Sequence, residues 1–485
     1  MKKRVLAIAM TLAMTLSLLP VSALATETGE TPEEETSTVN SIQETNSSEN
    51  AENQDQELTA DVENDEDTQV TEGDSVENFV AKIGDMPYAT LQGAIDAASD
   101  NATIVLQDDV VLDTCITISK TITLDLAGNT ISNTEAVWDN EDKIWSLVRV
   151  EGNGNLTLTG DGTLRALKND CYAVDIVDGG KCTIENGTYV GNIHAVYVFN
   201  GSLIVNGGTF SVQQKYSTER PDEYVLNCYD ANYKNKSASI TVTGGTFANF
   251  DPSNCYAEGE GTNFCADGYV SVQDGEQYVV MPIKDAAVAQ IGNDYYLTLG
   301  EAVSHAQNDE TITLLDDINT STYYVIGKNI TLDLNGHTLT SSAQFVLAST
   351  GGTWNLKNGA LVSTYDASSQ PGMALLAQGG TVNIGNVDMT VPEGCYGIQI
   401  GTSADYDNAE SDAKYSGHIT IGGGSTINSK DSGIIIVGRK TAESTLIVND
   451  ADITATTFAI SGNGSNDNTQ ITITGGNITS KEGPV

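Results

Sequence analysis

Between residues 79 and 485 the chain alternates apolar and polar positions over short stretches, each ending in a Gly or Asn turn. Examples are LTLTGDGTL at 156–164, CTIENGTY at 182–189, LIVNGGTF at 203–210 and ITVTGGTF at 240–247. Similar stretches recur at 352–361, 381–389, 417–427, 445–453 and 470–478. A period of two sends every second side chain to the same face, and β-branched Val, Ile and Thr dominate, so each stretch is expected to be a short strand. Gly and Asn fall where the chain must reverse with positive φ. The pattern changes period at two places only. Leu91, Ala94, Ile95 and Ala98 lie at helical spacing, as do Leu299, Ala302, Val303 and Ala306. Thr90 is placed to cap the first of these helices, and Thr298 with Glu301 forms a capping box for the second.

The two helical segments belong to an internal repeat. Residues 81–132 align without a gap on 289–340 at an offset of 208, with 23 of 52 positions identical. The chain therefore carries two copies of one unit, expected at 79–285 and 286–485. Within each copy the strand motif recurs at roughly 20 to 30 residues, a repeat length at which one unit cannot bury its apolar face alone and neighbours must stack. Longer steps point to loops inserted at 211–238 and 396–417. The expected fold is all-β, two tandem right-handed parallel β-helix (solenoid) domains, each opened by a short N-terminal capping helix. A pair of β-sandwiches is the competing arrangement; the regular strand–GGT–strand recurrence favours stacked rungs. Copy one continues past its last GGTF rung through 251–281. Copy two stops at 475–485, so its domain is expected to be cut short there.

The N-terminus has a different character. Lys2, Lys3 and Arg4 precede an apolar run from Val5 to Leu19, followed by Pro20 and the small-residue site Ala23-Leu24-Ala25. This is the layout of a secretory signal peptide over 1–25. The run is shorter than the roughly 20 residues a membrane-spanning helix needs, and no transmembrane segment is expected after cleavage. Residues 26–78 hold 18 Asp and Glu and no Lys or Arg. They have too few apolar residues to offset ordering entropy, so they read as a disordered acidic linker.

The formal charge is −44, and residues 79–485 alone carry 48 acidic against 19 basic side chains. Nucleic acid is excluded as a partner, because its binding needs a basic footprint. The seven cysteines form no CxxC pair and have no metal-type spacing with His. Export permits disulfides, Cys255 with Cys265 for example, and small buried thiols account for them equally well.

The phrase IG…Y.TL..A…A…TI.L..D…ITLDL.G.TI resembles repeat units of large secreted or surface proteins of gram-positive gut bacteria. The GGTF rungs resemble the pectate-lyase-like right-handed β-helix superfamily, across nearly all of 79–485. That superfamily includes lyases, glycosidases, phage tailspikes and adhesins, so the resemblance implies architecture and leaves activity open.

A lyase of this type would resemble an Asp cluster holding Ca²⁺ beside an Arg or Lys base. Asp170, Asp175 and Asp178 near Arg149 or Arg165 are the nearest approach to that pattern. A hydrolase would resemble polygalacturonases, whose Gly-His-Gly and Arg-x-Lys this sequence lacks. The pairs Asp108-Asp109 and Asp316-Asp317 recur at strand ends and read as turn residues, as does His337. His194 precedes a strand and reads as a surface or core residue. Asp125 and Asp333, in the shared TLDL strand, are expected to point to solvent. No cofactor is expected, Ca²⁺ being the one ion the fold could call on. Aromatic rings concentrate in copy one. Trp138 and Trp145 lie in an insertion at 133–146; Tyr216, Tyr224, Tyr229 and Tyr233 lie in or near the one at 211–238. Rings on loops over a rigid scaffold suit sugar faces and interfaces. The expectation is a secreted or cell-surface protein acting in adhesion or glycan binding without catalysis, its partner an extracellular glycan or a host or cell-wall surface. A carbohydrate-active enzyme and a structural spacer are the alternatives.

Overall fold

The computed structural model describes residues 78–141, 144–215, 224–401, 416–437, 443–462 and 469–483. The segments read from sequence as a signal peptide (1–25) and, but for its last residue, as an acidic linker (26–78) lie outside them, as does Tyr216.

The described chain is all-β, and its sheets are mainly parallel. In the first half, successive strands visit three sheets in turn. Thr121–Asp125, Thr130–Asn133 and Ser146–Glu151 are followed by Asn155–Thr159, Thr163–Arg165 and Tyr172–Val177, then by Gly180–Ile184, Thr188–Gly191 and Val196–Val198. Each strand pairs in parallel with its equivalent about 20 to 40 residues away. This topology is compatible with a β-helix. The exceptions in this half are antiparallel: Ala81–Ile83 with both Met86–Tyr88 and Ala102–Leu106 at the start, and the hairpin Tyr269–Asp274/Gln277–Pro282, which pairs with Thr246–Ala248 at the end. In the second half the third sheet runs from Tyr324–Ile326 to Ile460–Gly462, and the first two merge. They merge because Thr353–Ser363 and Thr381–Val391 pass from one to the other without a break, bending at Asn358 and Asn386, both with φ near +60°.

Alternation places the core as the sequence pattern predicts. Ile122, Leu156, Cys182, Leu203 and Ile240 stack in register through consecutive strands, and Leu124, Leu158, Ile184, Val205 and Val242 form the next inward column. In the second sheet, Tyr189, Phe210 and Phe247 stack at centroid distances of 5.1 and 4.9 Å, the geometry aromatic pairs favour. The GGT turns hold that stack. Gly245 has φ +105°, and a Cβ on Gly244 would lie 2.2 Å from the Asn206 carbonyl oxygen of the turn below. The buried side chains fall into two clusters, one over 81–280 and one over 289–459, with no residue in common.

Helices α1 (Leu91–Ala97), α2 (Asp230–Lys234), α3 (Ile283–Ala286) and α4 (Leu299–His305) are short. In α1 the Thr90 hydroxyl accepts from Gly93 N at 3.1 Å, and α4 has the full capping box of Thr298 and Glu301. The C-terminal end of each is held by a device the sequence pattern did not reveal. Lys120 Nζ donates to the carbonyls of Ile95, Asp96 and Ala98, and Lys328, its match in the repeat, donates to those of Val303, Ser304 and Ala306. An ammonium there meets the negative end of the helix dipole.

The acidic turn residues act as expected. Asp109 and Asp317 accept from the amides of Thr130 and Thr338, one strand further on. Asp125 and Asp333 alternate with the buried Leu124 and Leu332 and so lie on the outer face as expected; both are half-buried, and each closes a tight turn by accepting from the amide two residues on. His337 sits 3.5 Å from Asp317. The suggested disulfide does not form. No two of the seven cysteines are joined by a disulfide; Cys255 bridges through its backbone to Thr262 and Cys265 to Val242.

Candidate functional site

The site is built on the outer face of the five-stranded third sheet of the first half. Val148, Val150, Val174, Ile176, Val196 and Val198 point inward, so the residue between each pair points out. Register aligns these outward residues into one column: Thr117, Arg149, Asp175, Tyr197, Asn227. The loop at 134–145 folds beside this column. It is closed by paired backbone hydrogen bonds between Asp139 and Ile144, and anchored by the buried Asp170 carboxylate, which accepts from Asn133 Nδ2, Val137 N and Trp138 N at 2.7 to 3.1 Å.

The loop delivers its rings onto the sheet. Trp138 lies 6.4 Å from Trp145 and 5.5 Å edge-on from Tyr172; Tyr172 touches Tyr197 and His194; Trp145 meets Phe199, on which Tyr229 stacks at 4.9 Å. The result is one continuous aromatic strip across the strands. Trp138 is 38% exposed and Tyr229 44%, so its two ends reach solvent.

Of the residues singled out from sequence, the structure brings Trp138, Trp145 and Tyr229 into this strip. Tyr233 is half-buried on α2, edge-on to Phe264. Tyr224 is corrected: it is buried, because the chain folds its carbonyl onto His194 Nδ1 at 2.6 Å and packs its ring against the imidazole. Sequence reasoning passed over Phe199 and Asn227, raised Arg149 and Asp175 only for a lyase pattern, and did not join Tyr172, Tyr197 and His194 to the site. The available signal was the apolar–x–apolar triplet of each third-sheet strand, whose middle residues form the outward column.

The polar groups under the rings are perturbed. Asp175 is fully buried, and Ser146 Oγ donates to its Oδ1 at 2.5 Å while Oδ2 has no partner. Burial pushes the Asp175 carboxyl up to about 7, against the pull of Ser146 and of Arg149. Arg149 is turned toward Glu151, its Nε 3.0 Å from Oε2. His194 is wholly buried, which lowers it to about 4 and keeps it neutral. Its Nδ1–H donates to the Tyr224 carbonyl, which leaves Nε2 to accept from Asn227 Nδ2 at 3.4 Å. Glu258 takes the Cys228 amide on Oε1 at 2.9 Å, and burial raises it to about 7. Burial also pushes the Cys115 thiol up to about 12, well away from a reactive thiolate.

The lyase pattern is not assembled. Asp170 ties the loop, Asp175 lies under the rings, and Asp178 sits in a turn with φ +51°. Among the described residues no group of three or more His, Cys, Asp or Glu side chains is arranged to hold a metal ion, and no helix is long and apolar enough to cross a membrane.

No family model, curated protein or solved structure matches this chain.

Proposed function

We propose that this chain is an exported, cell-surface protein that binds extracellular glycan without catalysis, through the aromatic strip of its first half. The same proposal takes residues 79–285 and 286–485 as two right-handed parallel β-helix domains, each opened by its capped helix. The three-sheet strand order, the two separate cores and the burial of Leu91, Ala94 and Ile95 on α1 support that architecture. The observation that carries the function is the strip itself: rings in contact from Trp138 to Tyr229, mounted on a rigid sheet, with solvent-exposed ends. Sugar rings present apolar C–H faces that stack on such surfaces while their hydroxyls reach neighbouring polar groups.

Two of the three tryptophans lie in the strip, and the third, Trp354, is buried in the second core. Intrinsic fluorescence therefore reports directly on the site. Titration with a panel of neutral and acidic oligosaccharides is expected to shift the emission. Trp138→Ala is expected to weaken binding roughly tenfold, about 1.4 kcal/mol. A parent protein that binds none of the panel overturns the proposal. N-terminal sequencing of the exported protein is expected to begin at Thr26.

A carbohydrate-active enzyme is the second reading. It is favoured by one feature: burial raises both the Asp175 and the Glu258 carboxyl to about 7, the range in which a general acid works best. New reducing ends or unsaturated products from the same panel would establish it.

A further inference from the structure

Helix α2 and the turn that carries Glu258 line a cavity of about 500 Å³, together with Ala238 and Ser239 at the start of the last strand of the first sheet. Its other walls are Tyr233, Lys234 and Lys236. The size falls within the roughly 300–1,000 Å³ of small-molecule sites. The cavity adjoins the aromatic strip. Tyr229, the last ring of the strip, is also the residue from which α2 starts.

The polar groups of this corner are fixed and incomplete. The Cys228 amide fixes Glu258 Oε1, which leaves Oε2 buried and without a partner. Glu258 Oε2 is the orphaned atom on the cavity wall, and a buried polar atom without a partner costs free energy that an entering hydroxyl recovers. Donors are supplied by Lys234 and Lys236. Tyr233 offers a ring braced edge-on by Phe264 at 6.0 Å. The charges balance once Glu258 is ionised, above its raised value of about 7: Lys234 and Lys236 then stand against Asp230 and Glu258, with Lys234 Nζ 4.0 Å from Asp230 Oδ2. Acceptors, donors and one ring, with no net charge, suit an uncharged polyhydroxylated ligand.

We propose that this cavity is the terminal subsite of the aromatic strip and takes one uncharged sugar unit, with Glu258 accepting its hydroxyls and setting specificity. The proposal rests on the saccharide reading of the strip and adds to it an end, a ligand charge and a residue. Among its described residues the second half has no helix corresponding to α2, its own helix being α4 at its opening.

The test is calorimetric titration of the full chain with β-1,4-linked glucose and N-acetylglucosamine oligomers of increasing length, and with a galacturonate series. Parent, Glu258→Gln and Trp138→Ala proteins are compared, with circular dichroism and thermal melts to establish folding. Glu258→Gln keeps the shape and replaces the orphaned acceptor with an amide. It is expected to fold as the parent does and to lose about tenfold or more in affinity for the neutral oligomers. Hydrogen exchange over 230–236 is expected to slow when the neutral oligomer binds. Glu258→Gln binding like the parent while Trp138→Ala binds weakly would overturn the subsite and leave the strip intact. Galacturonate binding more tightly than the neutral series would overturn the charge assignment. No binding of any oligomer by the parent would instead overturn the saccharide reading on which the proposal rests.

Discussion

The outer face of the third sheet differs between the two halves in every property except its backbone. In the first half the outward column reads Thr117, Arg149, Asp175, Tyr197, Asn227. In the second it reads Val325, Ala348, Leu376, Gln399, Ile435, Ser461. The connection into the sheet differs too. Twelve residues, 134–145, carry Trp138 and Trp145 over the first face, whereas three, 342–344, join the corresponding strands of the second. The inward columns remain mainly aliphatic in both halves, interrupted by Cys228 in the first and Ser349 in the second. Duplication preserved what the core requires, and the solvent face was free to diverge. The second half exposes Tyr323 at 50% and Val325 at 43%, beside a smaller cavity against α4 that Ser304 and Lys328 help line, and among the described residues its outward column offers only Gln399 and Ser461 as polar groups. The proposal accordingly places recognition in the first half.

The largest expected effect breaks what the halves share. Phe210→Ala opens the Tyr189–Phe210–Phe247 stack and is expected to cost roughly 3–5 kcal/mol. Chemical denaturation followed by hydrogen exchange should place the loss in 81–280 and leave 289–459 protected. An equal loss of protection in both halves would show that the two cores unfold as one.

Next in size is a pH dependence that belongs to the first half. Asp175 and Glu258 have folded-state values raised above those of free carboxyls, with burial as the first cause. The folded state therefore holds their protons more tightly than the unfolded chain does. Their contribution is fully present below the unfolded values, near 4, and is lost as pH rises through about 7. For the fully buried Asp175 the loss is on the order of 3 kcal/mol, and for the half-buried Glu258 it is less. Asp175→Asn is expected to flatten most of the fall in the first half's melting temperature between pH 5 and 8. A variant that melts with the parent's pH profile would remove Asp175 as its source.

A smaller effect tests the loop. Asp170→Ala removes an anchor for three donors and is expected to cost about 2 kcal/mol. It should shift tryptophan emission to the red as Trp138 and Trp145 leave the sheet. Unchanged emission would mean that the rings hold the loop without the anchor. The smallest effect is expected from Tyr323→Ala in the second half: no measurable change in glycan affinity by titration. A loss there would extend the binding surface beyond the first half.

Much of this architecture was legible from alternation alone. The inward positions, the Gly turns and the caps at Thr90 and Thr298 all follow from local rules. The helix-terminal roles of Lys120 and Lys328 were not legible, because each reaches a helix more than 20 residues earlier in the chain, a contact no local pattern encodes. The candidate site was half visible. Trp138, Trp145 and Tyr229 stand out as aromatics in insertions, and Tyr224 stood out for the same reason although it is buried. Composition marks a ring without telling which face of the chain it occupies. Arg149, Asp175, Tyr197 and Asn227 become one group only when strands 20 to 30 residues apart are placed in register.

Hydrogen exchange of the whole chain, with and without a bound neutral oligosaccharide, tests the central claim most directly. Slowed exchange confined to 133–146, 172–177, 196–199 and 226–234, with 324–436 unchanged, is the predicted result. Protection that falls on 324–436, or that spreads evenly over both halves, would contradict the assignment of recognition to the first aromatic face.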